Sequence, residues 1–180
     1  LMLEIIIQGR GGQGAQTAGN LLARAFFAEG KHIQVFATYG GARRGTPVSS
    51  FIRVDDKSMR RRCDSEHPQA ILCFDASLLD KKLLAGVSKD TIVVVNSVKP
   101  AEEFKEYADC HFHSIDGFGV SQAHGLGRFI NSTLLGAFAS ILKAPTIDSM
   151  RQTIAESAPV KTEENVSACI DGYERMQASA

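Results

Sequence analysis

The sequence predicts a single α/β domain spanning residues 1–180: a doubly wound, mostly parallel sheet of Rossmann-like type with helices on both faces. Three observations predict it. Short apolar runs suited to buried strands alternate with segments of helical periodicity. The first such run enters a glycine-rich turn and then a helix, "IIIQGRGGQGAQTAGNLLARAFFAEG" over residues 5–30, which is the order of a phosphate-binding unit. A chain of 180 residues suffices for one well-buried core, and no repeat, low-complexity segment or linker divides it.

The elements follow in order. Leu3–Gln8 reads as a buried strand. Ala15–Glu29 reads as a helix, because Ala18, Leu21, Leu22, Ala25 and Phe26 recur at three- and four-residue steps, and Gly30 stops it. Ile33–Thr38 is a second strand that completes a β-turn-α-β unit. A loop rich in Gly and Arg, "YGGARRGTP", leads to a strand at Val48–Val54 and a basic turn at Lys57–Arg62. Residues 70–74 form a strand with a short helix from Ala76. Thr91–Asn96 has the apolar interior of a strand in mid-sheet. Ala101–Tyr107 is a short helix and His111–Ile115 the last strand. Gly117–Gly127 is expected to be a glycine-rich loop. Phe129–Leu142 is apolar on nearly every face and so is a buried helix. Amphipathic helices near Ile147–Glu156 and Thr162–Met176 follow, the second with Val166, Cys169, Ile170 and Tyr173 on one stripe.

Lys plus Arg, 20, equals Asp plus Glu, 20. A neutral chain has no global field to attract nucleic acid or an anionic membrane, so neither is an expected partner. No apolar run approaches the roughly 18–20 residues of a membrane span, and residues 1–8 lack a charged leader, so a cytoplasmic location is expected. Cys63, Cys73, Cys110 and Cys169 form no C-x-x-C pair and are expected to be reduced thiols, with no cluster bound by a local motif. His111 and His113 share one side of a strand, but no third ligand accompanies them, so no metal site is assigned. Asp75 is expected to cap the segment after it. No Walker loop, G-x-S-x-G elbow or H-E-x-x-H is present, and no catalytic residue is assigned.

Gly9, Gly11 and Gly14 match G-x-G-x-x-G, with Gly12 and Gln13 inside the turn and Thr17 in the first helical turn. Glycines admit close backbone approach, and the helix start presents free N–H groups and partial positive charge. The turn is therefore an anion cradle or a tight turn without ligand. A dinucleotide requires an acid about 20 residues on, at the end of the second strand. That strand ends Phe36-Ala37-Thr38-Tyr39, so nicotinamide is disfavoured. Arg43 and Arg44, flanked by glycines including Gly45, suit phosphate or carboxylate, although a solvated hairpin has the same composition.

"GRGGQGAQTAGNLLARAFFAEGKHIQVFATYGGARRGTPVSSFIRVDD" resembles the gamma subunit of 2-oxoacid:ferredoxin oxidoreductases of the pyruvate/ketoisovalerate type. The shared pieces are Gly9 to Gly14 with Gln13, Thr17, and Arg44-Gly45-Thr46-Pro47-Val48. "FDASLL", "INSTLLGAFA" and "EENVSACIDGYE" resemble later blocks of that family. The resemblance implies a subunit, inactive alone, of a complex that oxidatively decarboxylates a 2-oxoacid to acyl-CoA and passes electrons to ferredoxin. It implies alpha, beta and ferredoxin-like delta partners that carry thiamine diphosphate, magnesium and iron–sulfur clusters. The family's gamma region is linked to CoA. That makes Gly9, Gly11, Gly12, Gln13, Gly14, Thr17, Arg43, Arg44 and Gly45 the expected CoA-contacting set. A scaffold that only touches a partner chain, or a free NAD(P)-binding domain, remain alternatives.

Overall fold

The computed structural model describes residues 2–41, 44–60 and 66–179. Six strands, β1 (Leu3–Arg10), β2 (His32–Tyr39), β3 (Pro47–Asp55), β4 (Ala70–Cys73), β5 (Ile92–Asn96) and β6 (His111–Ile115), form one sheet in the order β2-β3-β1-β4-β5-β6. β1, β4, β5 and β6 run parallel, whereas β3 is antiparallel to both β1 and β2. The sheet is thus mostly parallel, as expected, but the simple β-turn-α-β unit is not. β3 returns as a hairpin from β2 and inserts between it and β1, pairing Gly9 with Val48 and Arg10 with Pro47. A short connection permits this, because antiparallel strands need only a hairpin loop.

The helices are α1 (Ala15–Ala28), α2 (Gly117–Ala123), α3 (Asn131–Leu142), α4 (Ile147–Ser157) and α5 (Thr162–Ser179). α1, α3, α4 and α5 share one core with a sheet face, built on Ile5, Leu22, Ile52, Leu72, Phe138 and Met150. The opposite face, with Ile6, Ile71 and Val93, is covered by Leu78, Leu79, Leu84 and Phe104. Here the two expected short helices are single 3-10 turns, Ala76–Leu78 and Ala101–Phe104. Asp75 and Asp80 explain the first. Their carboxylates accept from the backbone N–H groups of Ser77 and Leu83, which offers the chain an alternative to a longer helix.

The expected loop at Gly117–Gly127 is instead helical over its first seven residues. Asp116 caps α2 by accepting from the Gly119 N–H at 2.9 Å, and Gly117 N–H donates to Asn96 Oδ1 at 2.9 Å. A Cβ on Gly117 would lie 2.8 Å from that oxygen, so its glycine serves close packing rather than loop freedom. Only Gly125 and Gly127 have positive φ, +72° and +58°. α3 and α5 also pack through glycines: a Cβ on Gly136 would lie 1.9 Å from the Cys169 carbonyl oxygen, and one on Gly172 would lie 2.3 Å from that of Thr133.

Cys73 and Cys169 are buried on opposite sides of the sheet, and Cys110 is half-buried. Burial pushes the thiols of Cys73 and Cys169 up to about 12 and that of Cys110 to about 11. Cys63 lies outside the described residues. No helix among the described residues is long and apolar enough to cross a membrane.

Candidate functional site: two clefts around the glycine turn

β1 is buried through Gly9 and surfaces at Arg10. The chain then turns sharply. Gln13 N–H donates to the Arg10 carbonyl at 3.0 Å, and the Gln13 side-chain oxygen accepts from the Arg10 N–H at 2.7 Å. Gly12 and Gly14 hold φ of +92° and +93°, where an L side chain is strained. Gly14 caps α1 without a side-chain hydrogen bond, so the first helical N–H groups remain available to a ligand.

Two backbone bridges join this turn to the loop between β2 and β3. Gly11 N–H donates to the Thr46 carbonyl at 2.8 Å, and Gly45 N–H donates to the Gly11 carbonyl at 3.2 Å. Arg10 reinforces them: one guanidinium nitrogen donates to the Gly45 carbonyl at 3.2 Å and another to Ser77 Oγ at 2.7 Å. Its Nε lies 3.3 Å from Asp75 Oδ2, which also accepts from the Gln13 side-chain amide at 3.3 Å. Burial pushes the Asp75 carboxyl up. Hydrogen bonds from Ser77 and Gln13 and the charge of Arg10 outweigh that and hold it below its ordinary value. Asp75 caps the following turn as expected, and in addition braces the glycine turn.

A cleft of about 810 Å³ opens between the start of α1 and the β2–β3 loop. Gly11, Gly12, Gly14, Gln16 and Thr17 form one wall; Tyr39, Gly41, Arg44, Thr46 and Val48 form the other. The Tyr39 hydroxyl donates to the Gln16 side-chain oxygen across it. A second cleft of about 660 Å³ lies across Gly11–Gln13, where Arg44 meets Gly125, Leu126, Gly127, Arg128, Phe129 and Lys161.

The two sequence motifs therefore meet. Gly11, Gly12, Gly14, Thr17 and Arg44 line the first cleft. Gly9 sits behind it, with space for a Cβ closed by Ala15 at 2.9 Å. Gln13 faces the second cleft, but its amide is engaged by Arg10 and Asp75, so it builds the turn. Gly45 holds φ +88° and carries the backbone bridge to Gly11. Arg43 lies outside the described residues. Sequence reasoning missed Arg10, although it sits within the motif, and missed Arg128, Phe129 and Lys161, which carry no local signal. His111 and His113 lie on β6, and among the described residues no group of three or more His, Cys, Asp or Glu is placed to hold a metal.

The geometry defines an α/β domain whose glycine turn and hairpin loop flank a cleft lined by Gly11, Gly12, Gly14 and Arg44. The model of the pyruvate ferredoxin/flavodoxin oxidoreductase family matches residues 4–175. The pyruvate synthase subunit PorC of Methanothermobacter thermautotrophicus is 38% identical over 179 residues, covering 98% of this chain and 97% of that protein. The common gamma subunit of pyruvate/ketoisovalerate oxidoreductases from Thermococcus kodakarensis is 38% identical over 161 residues, 87% of this chain and 86% of its own length. The crystal structure of pyruvate oxidoreductase subunit PORC from Thermotoga maritima superposes with a TM-score of 0.85 at 29% identity, covering 96% of both chains. The chain belongs to the pyruvate ferredoxin/flavodoxin oxidoreductase family, as a subunit of the gamma type.

Proposed function

We propose that this chain forms the CoA-phosphate wall of a 2-oxoacid:ferredoxin oxidoreductase complex, with the first cleft as the binding surface. The observation that carries the reading is the pair of backbone bridges between Gly11 and the 45–46 segment. They set Arg44 opposite the open N–H groups at the start of α1, and a guanidinium with helix-terminal donors suits a pyrophosphate. Sheet order argues against a dinucleotide. β3 separates β2 from β1, so the end of β2, where a dinucleotide site keeps its ribose-binding acid and where this chain has none, does not adjoin the turn.

The remaining chemistry is assigned to partner chains of alpha, beta and ferredoxin-like delta type, with ferredoxin as acceptor and the cytoplasm as location. Thiamine diphosphate with magnesium would supply the carbanion chemistry of decarboxylation there. Among the described residues, this chain's thiols do not fit an iron–sulfur cluster: Cys73 and Cys169 are buried in separate cores with thiol pKa values of about 12. Its own residues bind and orient the phosphates.

The test is steady-state kinetics of the assembled complex with CoA varied at saturating oxoacid. Arg44→Ala should raise the KM for CoA roughly 10- to 100-fold, the worth of a lost charge-assisted contact. The KM for the oxoacid should be unaltered. A lower yield of complex with an unchanged KM for CoA would instead identify a scaffold.

A further inference from the structure

β2 is the outermost strand on its side of the sheet, and no strand among the described residues pairs with its outer edge. The ladder to β3 shows which groups that edge presents. Gly40 N–H donates to the Pro47 carbonyl at 2.8 Å, one step beyond the pair of Tyr39 with Val48. Bonded and unbonded pairs alternate along an antiparallel ladder, so the even-numbered residues of β2 bond to β3. Ile33, Val35, Ala37 and Tyr39 therefore aim their backbone N–H and C=O groups outward. An open edge of this kind is a template for another strand, and proteins blunt it with charge, proline or a bulge. β2 has none of these. HIQVFATY carries no Lys, Arg, Asp, Glu or Pro, and its register to β3 is unbroken over all 8 residues.

The side chains along this edge are apolar on both faces. On the α1 face Val35 is 39% exposed and Tyr39 57%, with the Tyr39 hydroxyl tied to Gln16 of α1. Phe27, 73% exposed, lies about three helical turns beyond Gln16 on the same stripe of α1, near the start of β2. On the other face the half-buried rings of Phe36 and Phe51 stack, with centres 5.1 Å apart and planes at 15°.

We propose that β2 is a dimerisation edge, on which a second copy of this chain pairs its own β2 antiparallel about a twofold axis at Phe36. Phe36 is the midpoint of the four outward residues. This register opposes Ile33 to Tyr39 and Val35 to Ala37 of the second copy, so every outward backbone group finds a partner. Phe36 meets its own copy in the central unbonded pair, where Cα atoms approach to about 4.5 Å. The stack of Phe51 on Phe36 then continues across the axis into the same two rings of the second copy. The Phe27 end of each copy meets the Tyr39 end of the other. No like charges oppose one another, because the strand carries none. The helices leave room. α1 packs on β1, β2 and β3, with β3 in the middle. Strands spaced about 4.8 Å apart set the two copies of β3, and the α1 helices over them, about 14 Å apart, more than the roughly 10–12 Å width of a helix. Phe27, Val35 and Tyr39 of both copies fill the gap. An uncharged edge whose aromatic and aliphatic positions match their own reverse order selects a second copy over a charged segment of another chain.

The test is sedimentation equilibrium of the full chain, wild type against Val35→Lys and Ala37→Pro, with cross-linking in the assembled complex. The wild type should be a dimer with a dissociation constant in the micromolar range or tighter. Val35→Lys seats two ammonium groups in the interface, whereas Ala37→Pro deletes an outward N–H and spares the ladder to β3. Each should raise the dissociation constant roughly 10-fold or more. Phe36→Cys should join two copies by a disulfide on oxidation, above the wild-type background, in the free chain and in the complex alike. Gln34→Cys should not, because the twofold sets it opposite Thr38 of the second copy. If Ala37→Pro fails to fold, Val35→Lys and the two cysteine variants still decide. A wild type that stays monomeric at every concentration, variants that dimerise as tightly as wild type, or equal cross-linking from positions 34 and 36 would overturn the proposal. So would a chain that is monomeric alone and whose Ala37→Pro variant cannot enter the complex, which would give the edge to an extended segment of another subunit.

Discussion

Arg10 and Asp75 meet beneath the glycine turn, with the guanidinium Nε 3.3 Å from a carboxylate oxygen. The pair joins the ends of β1 and β4, and through the Gly45 carbonyl it joins the hairpin loop as well. Arg10 and Asp75 are therefore positioning residues for the wall that carries Arg44.

Asp75→Asn should destabilise the protein by about 1 kcal/mol at pH 7, a modest figure because the pair is partly exposed. The sign with pH follows from the depressed folded value. Such a group stabilises the fold above its unfolded pKa, about 3.9, and that contribution is lost as pH falls through the folded pKa. The gap between wild type and Asp75→Asn should narrow as pH drops below about 4. Urea unfolding at several pH values measures it, and a gap independent of pH would contradict the assignment.

Gly14 and Gly45 separate backbone strain from packing. Both have positive φ, +93° and +88°. A Cβ on Gly14 would meet the Asn131 amide at 2.6 Å, whereas one on Gly45 meets nothing within 4 Å. Gly45→Ala should cost about 1 kcal/mol of stability, the strain alone. Gly14→Ala should cost about 1 kcal/mol more than that, because Asn131 must move. Chemical denaturation of the two variants tests the order; equal losses would show that Asn131 yields freely.

The α3–α5 contact is less forgiving. A Cβ on Gly136 would meet the backbone of Cys169, which cannot rotate away. Gly136→Ala should therefore cost about 3 kcal/mol, at the upper end for overpacking, and should expose α5. Hydrogen exchange along Thr162–Ser179 reads this directly, and unchanged protection there would refute it.

Arg53 carries a side chain only 2% exposed, with Nε 2.7 Å from Glu4 Oε1 and the guanidinium 5.8 Å from the Phe36 ring centre. Glu4→Ala should cost about 3–5 kcal/mol, because it removes the carboxylate from a buried guanidinium. Glu4→Leu with Arg53→Met should cost much less than the sum of the single changes. A double-mutant cycle in denaturant gives the coupling; additive losses would count against a paired buried charge.

The sequence by itself determined what local pattern encodes. The apolar run of β1, the three- and four-residue spacing of Ala18, Leu21, Leu22, Ala25 and Phe26, and the glycines at 9, 11 and 14 each specify a strand, a helix and a turn through contacts within a few residues. The cleft lined by Gly11, Gly12, Gly14, Thr17 and Arg44 was legible in the same way, because both motifs sit at strand ends.

Tertiary structure decided the rest. β3 lies between β1 and β2 because hydrogen-bond partners across a sheet are chosen by pairing, which periodicity along one strand does not record. Glycines 117 and 119 read as loop, yet Asn96 and the Asp116 cap fold them into α2. Lys161 and Arg128 reach the glycine turn only because Gly136 and Gly172 let α3 and α5 pack backbone to backbone. Burial and convergence of charge depend on contacts between residues distant in the chain, and the second cleft exists only where those contacts close.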